Sequence, residues 1–496
     1  NVYCITCWWS DKWDPKSYGR EYDFKRPFME QYRELHQAMP KLAMMNDNGI
    51  SSENCEYTYD FAYGKNCYLV VASWFVENCM YGYLLAGNKD SADNLFLFDS
   101  QLMYNTVDCK RCYNCRDCFR ATDSSDCILG FDLKNCKDCI LCSGLRGQQY
   151  CIRNKQYTKE EFEAFKKEMG LDSWKNMEKY RSEFAEFIKQ TPRKYSNFLK
   201  CEDCTGDNLE SSKNSKECYN TRNIQDCKWF SFGDGGKDSY DVNSTGQPEL
   251  CYDSVTPDNS YSDFFTVYCW KCQFVCYSEN CHSSNNLFGC VGLRKGEFCI
   301  LNKQYSKEEY LALREKIVEQ METSGEWGEF FPSNICLFAY NETMANEKHP
   351  LDEAGARQLG YRWTAQLPGV FGKKALDWTE VPDSISEVGA DGLVADKTLW
   401  KEVLSCTKCQ RNFKLIEKEF AFYKARGIPV PRRCSVCRDL ERKEKFNPRK
   451  MYDRQCDCAQ SGHEHADHCP TPFQTTYAPD RPEKVYCEKC YNQTLN

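Results

Sequence analysis

The sequence predicts a mainly β protein with added helices: two narrow, cysteine-lined β-solenoids of twelve-residue coils, each ended by a helix, plus terminal zinc ribbons. Three observations predict it. Cysteine recurs every twelve residues through two long blocks, each block closes on a helix-start signal, and CxxC pairs lie outside the repeat.

Cut into twelves from Asn54, the first block places Cys55, Cys67, Cys79, Ser91, Met103, Cys115, Cys127, Cys139 and Cys151 at the second position. The other cysteines of the block, Cys109, Cys112, Cys118, Cys136 and Cys142, fall on its fifth, eighth or eleventh position. Every third residue therefore has one character, and a fixed short period over many copies is the signature of a solenoid. Stacked parallel coils repeat at about 4.8 Å, so equivalent positions form ladders, and cysteine suits an inward ladder because it is small and readily buried. Asn or Asp often precedes it, as at Asn54, Asn66, Asn78, Asp126 and Asp138. These residues tolerate the left-handed backbone that a corner needs.

The phase continues in a second, degraded block. Cys227, Cys251 and Cys299 hold the second position, with Val275 and Leu287 as apolar substitutes, whereas Cys204 and Cys276 fall out of phase. The block ends match at an offset of 148 residues: CSGLRGQQYCIRNKQYTKEEF at 142–162 and CVGLRKGEFCILNKQYSKEEY at 290–310. Each end carries a capping box, Thr158-x-x-Glu161 and Ser306-x-x-Glu309, followed by apolar residues at helical spacing. The expected role of these helices is to cover the open solenoid ends, whose unpaired edges invite association.

The expected domains are a partial zinc ribbon with helical lead-in at 1–53, the first solenoid at 54–157, a helical linker at 158–200 and the second solenoid at 201–305. A capping helix at 306–330, a helical connector at 331–400, a zinc ribbon with a basic stretch at 401–454 and a last ribbon at 455–496 complete the chain. At 496 residues it can bury several cores. A net charge of -8 argues against wholesale coating of nucleic acid, and no apolar run reaches the ~18 residues of a membrane span.

Cys406-x2-Cys409 and Cys434-x2-Cys437, separated by 24 residues, have the spacing of a four-thiolate zinc ribbon, each knuckle delivering two sulfurs from one tight turn. A second site closes on Cys487 and Cys490, with Cys456 and Cys469 as expected partners. Cys458, His463, His465 and His468 offer more ligands than one Zn2+ needs, so a histidine ligand stays open as an alternative. Four protein ligands leave no open position, which marks both sites as structural. Cys4 and Cys7 look like the second half of a third ribbon, because NVYCITCWW at 1–9 repeats the pattern of KVYCEKCYN at 484–492.

Residues 424–454 carry eleven Lys or Arg against four Asp or Glu. Arg432, Arg433, Arg438, Arg442, Lys443, Lys445, Arg449, Lys450 and Arg454 are the candidate nucleic-acid contacts, since a basic stretch on a rigid ribbon can hold phosphates. The competing reading is a solvated helix of mixed charge, with Asp439, Glu441 and Glu444 interspersed.

The segments VYCITCWWSDKWDP at 2–15, the GLR…NKQY[TS]KEE[FY] block ends, FAYNET at 338–343 and TYAPDRPEKVYCEKCY at 476–491 resemble a family of uncharacterised cysteine-rich zinc-ribbon proteins predicted in small-genome candidate-phylum bacteria. The likeness spans most of the chain. It implies that the missing half of a ribbon normally precedes CWWSDKWDP, and that 456–469 is a histidine-rich variant of the last ribbon. It implies no activity.

No HExxH, Walker loop or GxSxG is present. The expected function is therefore non-catalytic: a zinc-stabilised binding or scaffold protein, docking on RNA or a ribonucleoprotein such as the ribosome through 424–454. The alternatives are a protein-binding or self-assembling rod, and a thiol redox protein using the cysteine ladder. Zinc ribbons beside so many cysteines point to a reducing cytoplasm, with the cell surface as the alternative.

Overall fold

The computed structural model describes the chain except for residues 47–50, 84–88, 90–91, 93–96, 99–107, 111–119, 123, 366–368, 371, 464 and 496. The repeat positions Ser91, Met103, Cys112, Cys115 and Cys118 lie outside the described residues, as does the side chain of Cys109. The protein is mixed α/β, with its cysteine clusters towards the termini.

Two sheets, of seven and eleven strands, run in chain order. Apart from the last strand of each, their strands pair in parallel, mostly at an offset of twelve residues: Ile128 with Ile140, Cys139 with Cys151, Tyr219 with Ser231, Val275 with Leu287 and Leu287 with Cys299. Isolated bridges keep the same offset between strands, as in the series Glu53, Lys65, Glu77 and Lys89. Each twelve-residue unit thus bonds mainly to the units before and after it.

A three-residue motif underlies this pairing. Asn54, Tyr57, Asp60, Tyr63, Asn66, Leu69, Ala72, Phe75, Asn78 and Tyr81 all have φ between 50° and 58°. The second block repeats the pattern, for example at Asn214, Glu217, Asn220, Asn223, Asp226, Trp229 and Phe232. Left-handed backbone costs an L-residue about 1–2 kcal/mol, which Asn and Asp tolerate best. Its return is that neighbouring amides point to different units. Glu53 N donates forward to Gly64 O at 2.9 Å, while Asn66 N donates back to Glu53 O at 2.9 Å. Asn side chains add a rail of their own: Asn54 Nδ2 donates to Asn66 Oδ1 at 2.8 Å, and Asn66 Nδ2 to Asn78 Oδ1 at 3.0 Å.

The residue after each left-handed one turns inward. Cys55, Cys67, Val70, Val76, Cys79, Cys127, Leu133, Cys136, Cys139, Cys142 and Cys151 share one buried cluster, all spaced by multiples of three. Cys218, Ile224, Cys227, Phe230, Val242 and Cys251 do the same in the second block, followed by Cys269, Cys272, Val275, Cys281, Leu287, Cys290 and Cys299. The thiols also donate to the backbone, as Cys142 Sγ does to Ile140 O at 3.2 Å and Cys218 Sγ to Lys216 O at 3.3 Å. Serine at the same positions accepts from the amide twelve residues on: Ser124 from Cys136, Ser215 from Cys227 and Ser239 from Cys251, at 3.1–3.3 Å. Burial pushes the Cys227 thiol up to about 11 and that of Cys251 up to about 12, so both remain uncharged donors at neutral pH.

The two cysteines that leave the repeat phase have separate causes. Glu202 pairs with Lys213, an eleven-residue offset, before the offset of twelve resumes at Gly206 and Cys218. One residue is missing from this unit, which returns Cys201 and Cys204 to the ladder core. Gly206 absorbs the deficit at φ +126°, where an added Cβ would meet Cys218 O at 1.8 Å. Cys276 follows the inward Val275 and instead packs outward beneath Phe28, Tyr310 and their neighbours.

Both capping boxes form, at the helices Lys159–Glu168 and Lys307–Ser324. The ends they were expected to cover are closed otherwise. Lys155–Gln156 folds back antiparallel on Gln149–Ile152, and Lys303–Gln304 on Glu297–Ile300. The helices lie on the sides, where outward apolar columns need cover. Phe162, Met177, Tyr180 and Phe184 bury Ile128, Ile140 and Ile152. On the second ladder, the helix Phe28–Ala38 and Tyr310, Ile317 and Met321 bury Tyr277, Phe288 and Ile300.

Among its described residues the expected helical connector at 331–400 holds only short helices, Met344–Lys348 and Glu353–Gln358 among them. Its later part, through Leu376, Val381, Ile385, Val388 and Leu399, belongs to the core of the ribbon that follows.

Candidate metal centres

Cys406 leaves the strand Leu404–Ser405, which pairs antiparallel with Asn412–Phe413 across the first knuckle. Cys434 caps the helix Ser435–Lys443, its sulfur accepting from Cys437 N at 3.4 Å. Cys434 N in turn donates to Cys406 Sγ at 3.3 Å. The ligand atoms of Cys406, Cys409, Cys434 and Cys437 lie within 4.8 Å of one another. Cys409 Sγ stands 3.8 Å from Cys434 Sγ. A tetrahedral site with Zn–S bonds of about 2.3 Å has S···S edges of about 3.8 Å, whereas a disulfide needs about 2.05 Å. Burial disfavours the Cys406 thiolate, but amides of Cys409, Cys434 and Lys408 outweigh it and bring the group down to about 6.

The second centre repeats the plan. Tyr452–Gln455 pairs antiparallel with Pro472–Thr475 and leads into Cys456, and Cys487 opens the helix Glu488–Gln493. Cys456, Cys469, Cys487 and Cys490 are all buried, with their sulfurs within 4.8 Å of one another. Cys469 Sγ lies 3.9 Å from Cys487 Sγ, again the edge of a zinc tetrahedron. A further group, Cys458, His463, His465 and Cys490, meets the same limit and shares Cys490 with the first. His468 points elsewhere, its Nδ1 3.3 Å from Cys469 O. These donor sets suit a metal such as zinc and have closed four-ligand shells.

Cys4 and Cys7 are exposed. Cys4 caps the helix Ile5–Trp8 much as Cys434 caps its own. Among the described residues no third donor joins these two thiols. Nor are any two of the described cysteines joined by a disulfide.

The basic stretch is largely engaged by other residues of the chain. Arg438 and Arg442 are buried, and Arg438 bonds the buried Glu419 at 3.0 Å. Tyr81 and Tyr423 also donate to Glu419, at 2.6 and 2.7 Å, which fastens this ribbon to the first ladder. Arg432 pairs with Asp383, Arg433 with Glu178 and Glu441, Arg442 with Asp439, Lys443 with Glu347 and Asp439, and Arg454 with Asp457. Arg449 lies over the Phe232 ring at 4.3 Å and Lys450 over Tyr452 at 5.2 Å, while Lys445 is exposed. Six of the nine expected nucleic-acid contacts therefore engage carboxylates of this chain. Several of those carboxylates, Glu178, Glu347, Asp383 and Glu419, lie far away in sequence, so a local reading of charge could not find them.

The ribbons also tie the molecule together. Val485–Tyr486 pairs in parallel with Arg193–Lys194, just ahead of the second ladder, and Lys194 meets Glu488 at 2.6 Å. No described helix is long and apolar enough to cross a membrane. No protein-family model matches the chain, and no curated protein matches it either.

Proposed function

We propose that the chain is a non-catalytic scaffold whose ladders are two narrow β-solenoids, held in place by zinc ribbons that act as clamps. The observation that carries this reading is the separation of two cysteine classes. Ladder thiols point into apolar clusters and donate to carbonyls, whereas the CxxC thiols converge at zinc-like distances in closed four-donor sets. A closed shell leaves no position for a substrate.

The partner in this reading is a protein. Exposed aromatic side chains recur on the first ladder, with Tyr63 and Phe75, one unit apart, stacked at 4.8 Å and 55% and 65% exposed. Docking on RNA or a ribonucleoprotein through 424–454 is the competing reading, and the pairing of that stretch with other residues of the chain weakens it. Self-assembly of the rod and redox use of the ladder are the others.

The test combines two measurements on the full chain under reducing and air-exposed conditions. Alkylation under denaturing, non-reducing conditions, read by mass, should find every ladder cysteine modified, and zinc should copurify. Ladder disulfides in protein from native cells would overturn the scaffold reading in favour of redox chemistry. RNA binding that falls steeply with salt would overturn the protein-partner reading.

A further inference from the structure

Cys490 belongs to two four-donor groups at once. One is the tetracysteine set with Cys456, Cys469 and Cys487, and the other comprises Cys458, His463 and His465. Together they offer five thiols and two imidazoles, the number two four-coordinate ions need when one sulfur is shared. We propose that the C-terminal ribbon holds a dinuclear zinc centre bridged by Cys490 Sγ, the second ion being bound by Cys458, His463 and His465.

Three observations carry the assignment. Cys458 is fully buried, and its sulfur lies 3.2 Å from His463 Nδ1, so thiol and imidazole already converge. Both ring nitrogens of His465 are shut off from solvent with no hydrogen-bond partner. A buried polar atom without a partner is costly and rare, and a metal ion would take the lone-pair nitrogen of this ring, neutral imidazole being the commonest metal ligand. The loop is also shaped to present these donors: Gly462 turns at φ +88°, His465 N donates to His463 O at 2.7 Å, and Cys469 N donates to Cys458 O at 3.0 Å. That last bond closes the loop back onto the tetracysteine set.

Charge favours the bridge. Four thiolates around one divalent zinc leave a double negative charge in a buried site, which is unfavourable without compensation. A second divalent ion arriving with one more thiolate and two neutral imidazoles halves that charge. Tetrahedral sets of four sulfurs, or of two sulfurs and two nitrogens, both fall within zinc chemistry.

The inference rests on the zinc reading of the tetracysteine set, and the experiment separates the two. In the full chain carrying C4S/C7S, native mass spectrometry and elemental analysis should give three zinc ions: one at Cys406, Cys409, Cys434 and Cys437, and two at the C-terminal ribbon. H463A/H465A should retain two. If the parent holds two and H463A/H465A also holds two, the bridge is refuted and the single-ion ribbon survives. A parent with one zinc, unchanged by H463A/H465A, refutes both. A second readout needs no variant: after exchange with cadmium-113, scalar coupling between two cadmium resonances should report the shared thiolate, and two resolved but uncoupled C-terminal resonances would overturn the bridge.

Discussion

Asp263 occupies an inward ladder position, one unit after Cys251 and one before Val275, and is fully buried. Its Oδ1 accepts from Val275 N at 3.1 Å, while Oδ2 has no partner. Burial pushes the carboxyl up from 3.8 to about 7, against the smaller opposing pull of the Val275 amide and the Ser260 hydroxyl. Because the folded value is raised, the unfolded chain releases a proton that the folded chain keeps between about pH 4 and pH 7. Stability therefore falls as pH rises through that window and levels off above it. At about 1.4 kcal/mol per unit, the penalty is about 2 kcal/mol at pH 5 and about 4 kcal/mol at pH 8. Asp263→Ser removes the charge and keeps the acceptor, as Ser260 and Ser278 do for Cys272 and Cys290. The variant should be more stable than wild type, by a margin about 2 kcal/mol larger at pH 8 than at pH 5. The assay is urea unfolding with pulsed hydrogen exchange, labelled at one common pH and read on peptides covering 264–279. Parallel pH profiles for the two proteins, or a less stable variant at pH 8, would refute the reasoning.

Asn66→Ala should cost the first ladder about 1–2 kcal/mol by placing a non-tolerant residue at φ 55°. Asn66→Gly should cost less, a difference that thermal melts of the two variants will resolve. Arg438→Ala leaves the buried Glu419 carboxylate without its 3.0 Å guanidinium. Loss of such a partner costs about 3–5 kcal/mol, and the Arg438→Met/Glu419→Gln double variant should recover most of it in denaturant titrations. Cys434→Ser should release one zinc ion and loosen the core around Leu404, Phe420 and Ile428. Metal analysis with near-UV circular dichroism checks this, and retention of the full zinc content would count against the assignment.

The features legible in the sequence are those whose cause is local. A twelve-residue period needs only Cys55, Cys67 and Cys79 to be noticed, and the capping boxes at Thr158 and Ser306 are complete within four residues. Paired knuckles such as Cys406 and Cys409 carry their geometry in their spacing. Features that depend on distant partners stay hidden. The basic stretch looks free until Glu178, Asp383 and Glu419 are brought against it. Cys204 looks misplaced because a single missing residue beside Gly206 shifts the frame. The left-handed residue at every third position is masked because Tyr57, Leu69 and Phe75 adopt it alongside the expected Asn and Asp. In the last ribbon spacing points to Cys469 as the partner of Cys456 and leaves Cys458 as a surplus donor. Only their placement shows that each belongs to a different donor set.

The twelve-residue register also sets a rule for how such a protein can change length. Each unit bonds mainly to its immediate neighbours, so a whole unit can be gained or lost while every inward residue keeps its direction. The ladder then grows or shrinks in steps of about 4.8 Å. A change of one residue rotates every later side chain out of place unless a glycine absorbs it, as Gly206 does. Growth of these surfaces is therefore quantised, and duplication can extend them without disturbing the four-donor cysteine sets at the C-terminal end.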